Sequence, residues 1–198
     1  MRTFREAVAH RRSIYGLNKD ITLLPSEIIA AIQRLVKEVP SAFNMQSGRV
    51  VVAFGDHHDK IWDITMDALR KKVPAEKFAP TEAKINGFKA AYGTVLYFEN
   101  TDTVKALQEQ FPSYAPNFPI WASQANGMLQ FAIWTELENL GLGANIQHYN
   151  PLIDDEVKKY FQIPESWTLV AQMPFGNPTE TPAPKEKLPV DERVKIWG

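Results

Sequence analysis

Apolar positions along this chain follow two periods, and the switch between them marks out the elements. Phe4, Ala7 and Val8 form the apolar face of a short helix over Thr3–Arg12, with Thr3 and Glu6 spaced as a capping box. Leu24-Pro25-Ser26 opens a second helix, about Ser26–Glu38, with Ile28, Ile29, Ile32, Leu35 and Val36 inward until Val39-Pro40 stops it. Pro40–Ser47 is a polar loop. Arg49–Phe54 is a valine-rich strand. Asp56–Arg70 is a helix burying Ile61, Trp62, Ile64 and Leu69, Val73–Pro80 is irregular, and Thr81–Ala91 is a further short helix. Thr94–Phe98 and Trp167–Met173 are strands, and Thr101–Gln110 and Asp154–Tyr160 are helices.

The segment Asn117–Asn150 departs from a one-sided pattern. Pro119 suits a first helical turn, and no breaker follows until Leu140-Gly141. Ile120, Trp121, Ala125, Met128, Leu129, Phe131, Ala132, Trp134 and Leu137 cover more than one stripe, which predicts burial on several faces, as in a central helix or one shared by two subunits. Gly127 in its middle costs roughly 1 kcal/mol against alanine, a loss that close approach of another backbone offsets. Gly141–Gly143 then turns the helix into a short strand, with exposed backbone near Gln147-His148.

Beyond Met173 the pattern ends. Pro174, Pro178, Pro182 and Pro184 predict that the ladder stops and that residues 176–198 form an extended arm with the apolar tip Val194–Trp197. A tip of that kind packs on something, such as the sheet of a partner subunit. The alternation of helices and strands predicts one α+β domain over 1–198.

Composition narrows the classes. With 198 residues, 44% hydrophobic and 23% charged, the chain supports a real core. The net charge of −1 gives no support for nucleic acid or an anionic membrane as partner, and no run is apolar enough to span a bilayer. The absence of cysteine removes disulfides, thiolate metal sites and a thiol nucleophile, and fits a cytoplasmic location. No dinucleotide-binding glycine motif, Walker loop, zinc-protease motif or nucleophile elbow occurs. Asp56-His57-His58-Asp59 is expected to be a solvated helix start, not a metal site. His148 is either an acid–base group or a simple hydrogen-bonding residue.

Three features converge on a phosphorylated, amide-rich ligand. Arg11-Arg12-Ser13 offers two guanidinium forks and a hydroxyl, Lys185-Glu186-Lys187 adds two cations, and Pro40–Gln46 offers Ser, Asn and Gln groups. The order of His10-Arg11-Arg12-Ser13, Pro40-Ser41-Ala42-Phe43-Asn44-Met45-Gln46, Gly141-Leu142-Gly143 and Pro184-Lys185-Glu186-Lys187 resembles the FMN-dependent nitroreductase family over essentially the whole chain. The Asn145–Pro151 stretch and the short length resemble its fatty-acid-repression-mutant branch, which includes a copper-induced bacterial nitroreductase.

That resemblance implies a central, mostly antiparallel sheet covered by helices, in an intertwined homodimer with an extended C-terminal arm and FMN in each of two interface clefts. It implies that Arg11 and Ser13 meet the FMN phosphate and ribityl chain, and that Arg12 lies near the phosphate or flavin. Lys185 and Lys187 become late phosphate-binding cations, Ser41 and Asn44 belong to the loop that reaches the flavin from the partner chain with Gln46 close by in the cofactor site, and Gln147 and His148 offer backbone groups to its reactive edge. It further implies NADH or NADPH as donor, nitroaromatics or quinones as acceptors, ping-pong exchange, no protein catalytic residue, and a place in the oxidative-stress response. A flavin-binding regulator of stress or lipid signalling with little turnover is the alternative.

Overall fold

The computed structural model describes residues 2–198. Its sheet consists of β1 (Leu17–Asn18), β2 (Gly48–Phe54), β3 (Gly93–Asn100), β4 (Gly143–Ala144) and β5 (Trp167–Pro178). The order is β1-β5-β3-β2, with β4 also on β5, and every paired strand is antiparallel. The helices are α1 (Phe4–His10), α2 (Pro25–Glu38), α3 (Gly55–Arg70), α4 (Ala79–Lys89), α5 (Thr101–Gln110), α6 (Phe118–Asn139), α7 (Asp154–Phe161) and a single turn, α8 (Val190–Arg193). No helix is long and apolar enough to cross a membrane among the described residues.

The sheet is covered on both faces, which is why β3 is a continuous apolar run. Successive side chains of a strand point to opposite faces. Leu96 and Phe98 accordingly join Ile61, Trp62, Ile85 and Val157 of α3, α4 and α7 on one side. Val95 and Tyr97 join Ile28, Ile32, Leu129, Ile133 and Leu137 of α2 and α6 on the other. The β3–β5 register skips Val170, between the pairs Tyr97–Ala171 and Phe98–Leu169, a bulge that leaves both core faces intact.

Four expectations need correction. The ladder does not stop at Pro174. β5 continues to Pro178, because Pro174 uses only its carbonyl, which accepts from the Asn145 N–H at 3.3 Å, and because Pro178 lies at the strand's end, opposite Leu17. The arm therefore begins at Thr179, not at residue 176. The irregular stretch before the fourth helix is shorter than expected, since a 3₁₀ turn at Ala75–Lys77 leads into α4 at Ala79 and Pro80 sits in a first turn that needs no N–H from it. Phe4 and Val36 are exposed, because α1 buries only Ala7, and α2 turns Ala31 inward beside Ile28 and Ile32.

α6 buries Ala122, Ala125, Leu129, Ile133 and Leu137 within the chain. Ile120, Met128 and Phe131, at helical spacing on another face, remain 56%, 45% and 40% exposed. A Cβ built at Gly127, on that same face, meets nothing within 4 Å. The close approach expected at Gly127 is therefore not made by this chain.

Candidate functional site

α1 ends at His10, and the segment after it is stitched to the turn that follows α6. Gly141 adopts φ 82°, a left-handed conformation suited to glycine, and the Leu142 N–H closes the helix on Leu137 O at 2.8 Å. The chain then presents Ala144, whose carbonyl accepts from Ile14 N–H at 3.0 Å, and Ser13 forms a parallel bridge with it. Buried Asn145 donates to Ile14 O at 2.7 Å and accepts from Gln147 Nε2 at 2.8 Å. Arg11, Arg12, Ser13, Gln147 and His148 are thereby assembled in one region by backbone and amide hydrogen bonds.

Arg11 is its electrostatic centre. Its guanidinium lies 4.2 Å from the Trp134 ring centroid and 5.9 Å from that of Phe131. The ring faces hold the cation, and its Nε is buried with no hydrogen-bond partner among the described residues. Burial, then the neighbouring Arg12 charge, push its pKa down while Glu138 pulls it up. An arginine stays protonated regardless. The result is a half-buried cation close to the exposed Ser13. That arrangement fits a phosphate or similar anion.

Arg12 has a different partner. Its Nη2 donates to Ala183 O at 2.9 Å, tying the arm to this region. Lys185 and Lys187 follow on the exposed arm, two and four residues further along. Gln147 corrects part of the expectation for this turn. Its N–H donates to Gln172 O at 2.7 Å, and its carbonyl accepts from Gln172 N–H at 2.9 Å, so its backbone is spent on β5. His148, the next residue, is exposed.

The loop Ser41–Gln46 lies elsewhere. Phe43, Asn44 and Gln46 have φ of 54°, 51° and 49°. Each left-handed non-glycine residue costs roughly 1–2 kcal/mol. Ser41 Oγ offsets this by accepting from Gln46 N–H at 2.8 Å, and Arg49 Nη1 donates to Gln46 O at 2.6 Å. Phe43 anchors the loop on Phe111, Tyr114, Phe118 and Trp121, stacking on Trp121 at an interplanar angle of 18°. The side chains of Asn44 and Gln46 are left at the surface. Ser41 and Gln46 also border a cavity of about 1000 Å³ between α2 and the outer strand β2, lined in addition by Ile32, Val36, Val50, Leu129 and Trp167.

The predicted site thus falls into two clusters at opposite ends of α6. One packs at Trp121 and the other at Trp134, separated by roughly 20 Å at 1.5 Å per helical residue. Sequence reasoning missed the supports: Trp134 under Arg11, Asn145 between the two segments, Gln172 behind the turn, and Glu180, whose Oε1 accepts from Tyr15 and Gly16 N–H at 2.9 and 3.0 Å. Trp134 was one more apolar residue in a crowded helix, and the other three carry no local signal.

His58 belongs to the core. Fully buried, it faces Lys89 O at 3.1 Å through Nε2, which must carry the hydrogen. Nδ1 then accepts from Thr94 Oγ1 at 2.8 Å, while Trp62 Nε1 donates to the same oxygen at 3.0 Å. Burial lowers its pKa to about 4, against weaker opposing pulls from Lys89 O and Asp59. His57 pairs with Tyr160 at 2.9 Å.

Arg11 thus stands as a half-buried cation near one end of α6, on a helix-covered antiparallel sheet. Residues 8–177 match the Nitroreductase family, and the chain belongs to it. It is 34% identical to the nitroreductase FRM2 of Saccharomyces cerevisiae over 98% of this chain and 96% of that protein. The nitroreductase CinD from Lactococcus lactis, solved in complex with chloramphenicol, is 41% identical, superposes with a TM-score of 0.91, and is matched over 99% of this chain and 100% of that one. A nitroreductase with bound FMN from Desulfitobacterium hafniense shares the fold at 17% identity, with a TM-score of 0.71 and 100% coverage of both chains. The nitroreductase-like α+β fold follows, and with it an oxidoreductase.

Proposed function

We propose that the protein is an FMN-dependent nitroreductase that draws electrons from NADH or NADPH and passes them to nitroaromatics, quinones or related acceptors. The observation that carries this reading is Arg11: a half-buried guanidinium stacked on Trp134, two residues before the exposed Ser13. In this reading Arg11, Ser13, Lys185 and Lys187 hold the phosphate and the adjoining ribityl chain, and His148 borders the reactive edge. FMN, when bound, supplies a two-electron carrier that takes up and returns hydride. The protein's part is to hold it, orient it and keep one face open, so that donor and acceptor use that face in turn. No side chain is asked to act as acid or base.

The site is completed by a second copy. The Gly127–Met128 step lies midway between Trp121 and Trp134. Two α6 helices crossing there about a two-fold axis would bring the Ser41–Gln46 loop of one chain to the Arg11 cluster of the other. They would also cover Ile120, Met128 and Phe131. The free edge of β2 and the adjoining cavity suit the partner's extended arm, whose Ile196 and Trp197 are about nine-tenths exposed in one chain.

Steady-state oxidation of NADH or NADPH by the FMN-loaded protein, with a nitroaromatic acceptor varied at several donor concentrations, tests the activity. Parallel double-reciprocal lines are expected. Donor oxidation that does not respond to the acceptor would favour a flavin-binding regulator instead.

A further inference from the structure

The arm leaves β5 through a clasp on the segment that follows Arg11. Thr179 N–H donates to Gly16 O at 2.9 Å. Glu180 Oε1 then accepts from two successive backbone donors, Tyr15 N–H at 2.9 Å and Gly16 N–H at 3.0 Å. Three residues on, Ala183 O accepts from Arg12 Nη2 at 2.9 Å. Packing reinforces the clasp: a Cβ on Gly16 would stand 2.7 Å from Thr179 Oγ1 and 3.2 Å from the Glu180 side chain. A side chain there would displace the Thr179 hydroxyl and crowd the Glu180 side chain.

Four residues separate Glu180 from Lys185, and no regular element intervenes between Thr179 and Pro189. The direction in which the arm departs is therefore set at its root. Without the Glu180 contact, the arm would be held by one backbone hydrogen bond from Thr179 and one bond from the Arg12 guanidinium, and an unstructured segment of this length samples many directions.

Resting on the flavin reading, we propose that Glu180 is a positioning residue for the phosphate site. Its carboxylate, held by the Tyr15 and Gly16 amides, fixes the root of the arm so that Lys185 and Lys187 are delivered to the anion bound at Arg11. It touches neither cofactor nor substrate. Binding of FMN and ordering of the arm are consequently coupled: the phosphate recruits the lysines, and the clasp lowers the conformational entropy lost when they arrive. The hydrogen bonds from these two amides hold the Glu180 carboxyl below the usual carboxylate range, so the clasp stays charged at neutral pH.

Flavin titration of the full-length apoprotein tests this. Glu180→Ala is expected to raise the Kd for FMN by roughly tenfold, the scale of losing a charge-assisted contact. It should leave the Kd for riboflavin, which has no phosphate, within about twofold. In the Lys185→Ala/Lys187→Ala background the same substitution should add little, because its effect runs through those lysines. Glu180→Gln, which keeps an acceptor oxygen in place, should recover part of the FMN affinity. Equal losses for FMN and riboflavin, or full additivity with the lysine pair, would show a general structural role and overturn the proposal. So would an unchanged FMN affinity in Glu180→Ala. Failure of the wild-type protein to bind either flavin would instead overturn the flavin reading on which it rests.

Discussion

Replacing Arg11 probes the anion site at its centre. In the free protein its Nε is buried without a partner, and its guanidinium rests on Trp134 at 4.2 Å. The group has thus lost hydration at Nε without gaining a protein acceptor there. Removing it gives up a cation–π contact of roughly 0.5–2 kcal/mol and relieves a desolvation penalty of similar size. Arg11→Met, which keeps an apolar stem on Trp134, should therefore leave the melting temperature of the apoprotein nearly unchanged. Ligand binding is where the substitution acts. A charge-assisted Arg–phosphate interaction is worth about 1.5–3 kcal/mol, which corresponds to a Kd for FMN raised roughly 10- to 150-fold. Arg11→Lys keeps the charge and loses the planar fork, so it should fall between. Flavin fluorescence titration with FMN and riboflavin in parallel gives the readout. The FMN affinity should fall while the riboflavin affinity holds. An unchanged FMN Kd, or equal loss for both flavins, would refute the assignment of Arg11 to the phosphate.

Truncation before Pro182 removes Lys185, Lys187 and the apolar tip, and should cost both FMN retention and dimer; a yellow, monodisperse dimer lacking the tail would show the arm to be dispensable. Phe131→Glu and Met128→Glu place charges on the exposed stripe of α6 and should yield monomers by sedimentation or light scattering, whereas an intact dimer would place the interface elsewhere. His58 has a folded pKa of about 4 against 6.5 for the free side chain, so the unfolded chain binds more protons between these values and stability falls as the pH is lowered through that window. The full loss approaches roughly 3 kcal/mol below pH 4, measurable as the difference between wild type and His58→Gln in denaturant titrations across pH 7 to 4; parallel pH profiles would show that His58 titrates normally.

Much of the fold was legible because its signals are local. β3 and the inner half of β5 announced themselves as apolar runs, α6 by its length and its Pro119 start, and Thr3 and Glu6 by a capping box that the structure contains. The misreadings came where a distant partner decided the outcome. Pro174 could stay in a strand because Asn145 needs its carbonyl and no neighbour needs its N–H. Phe43, Asn44 and Gln46 gave no sign of their left-handed backbones, which Ser41, Arg49 and an aromatic cluster over 60 residues away impose. The same distinction applies to the site. Arginines and lysines stand out by type, whereas Asn145, Gln172 and Glu180 matter only through what they touch after folding.

On the proposed function, each flavin site is built from two chains, the Arg11 cluster of one and the Ser41–Gln46 loop of the other. Heterodimers of an Arg11→Ala chain and an Asn44→Gly chain test it most directly, since glycine keeps the left-handed backbone at position 44 while removing the amide. If the clusters meet across the interface, the heterodimer holds one intact site and one doubly altered site, and binds one FMN per dimer with wild-type affinity although neither parent homodimer does. If each site belongs to a single chain, both sites of the heterodimer carry one lesion, no wild-type affinity returns, and a site shared between chains is ruled out.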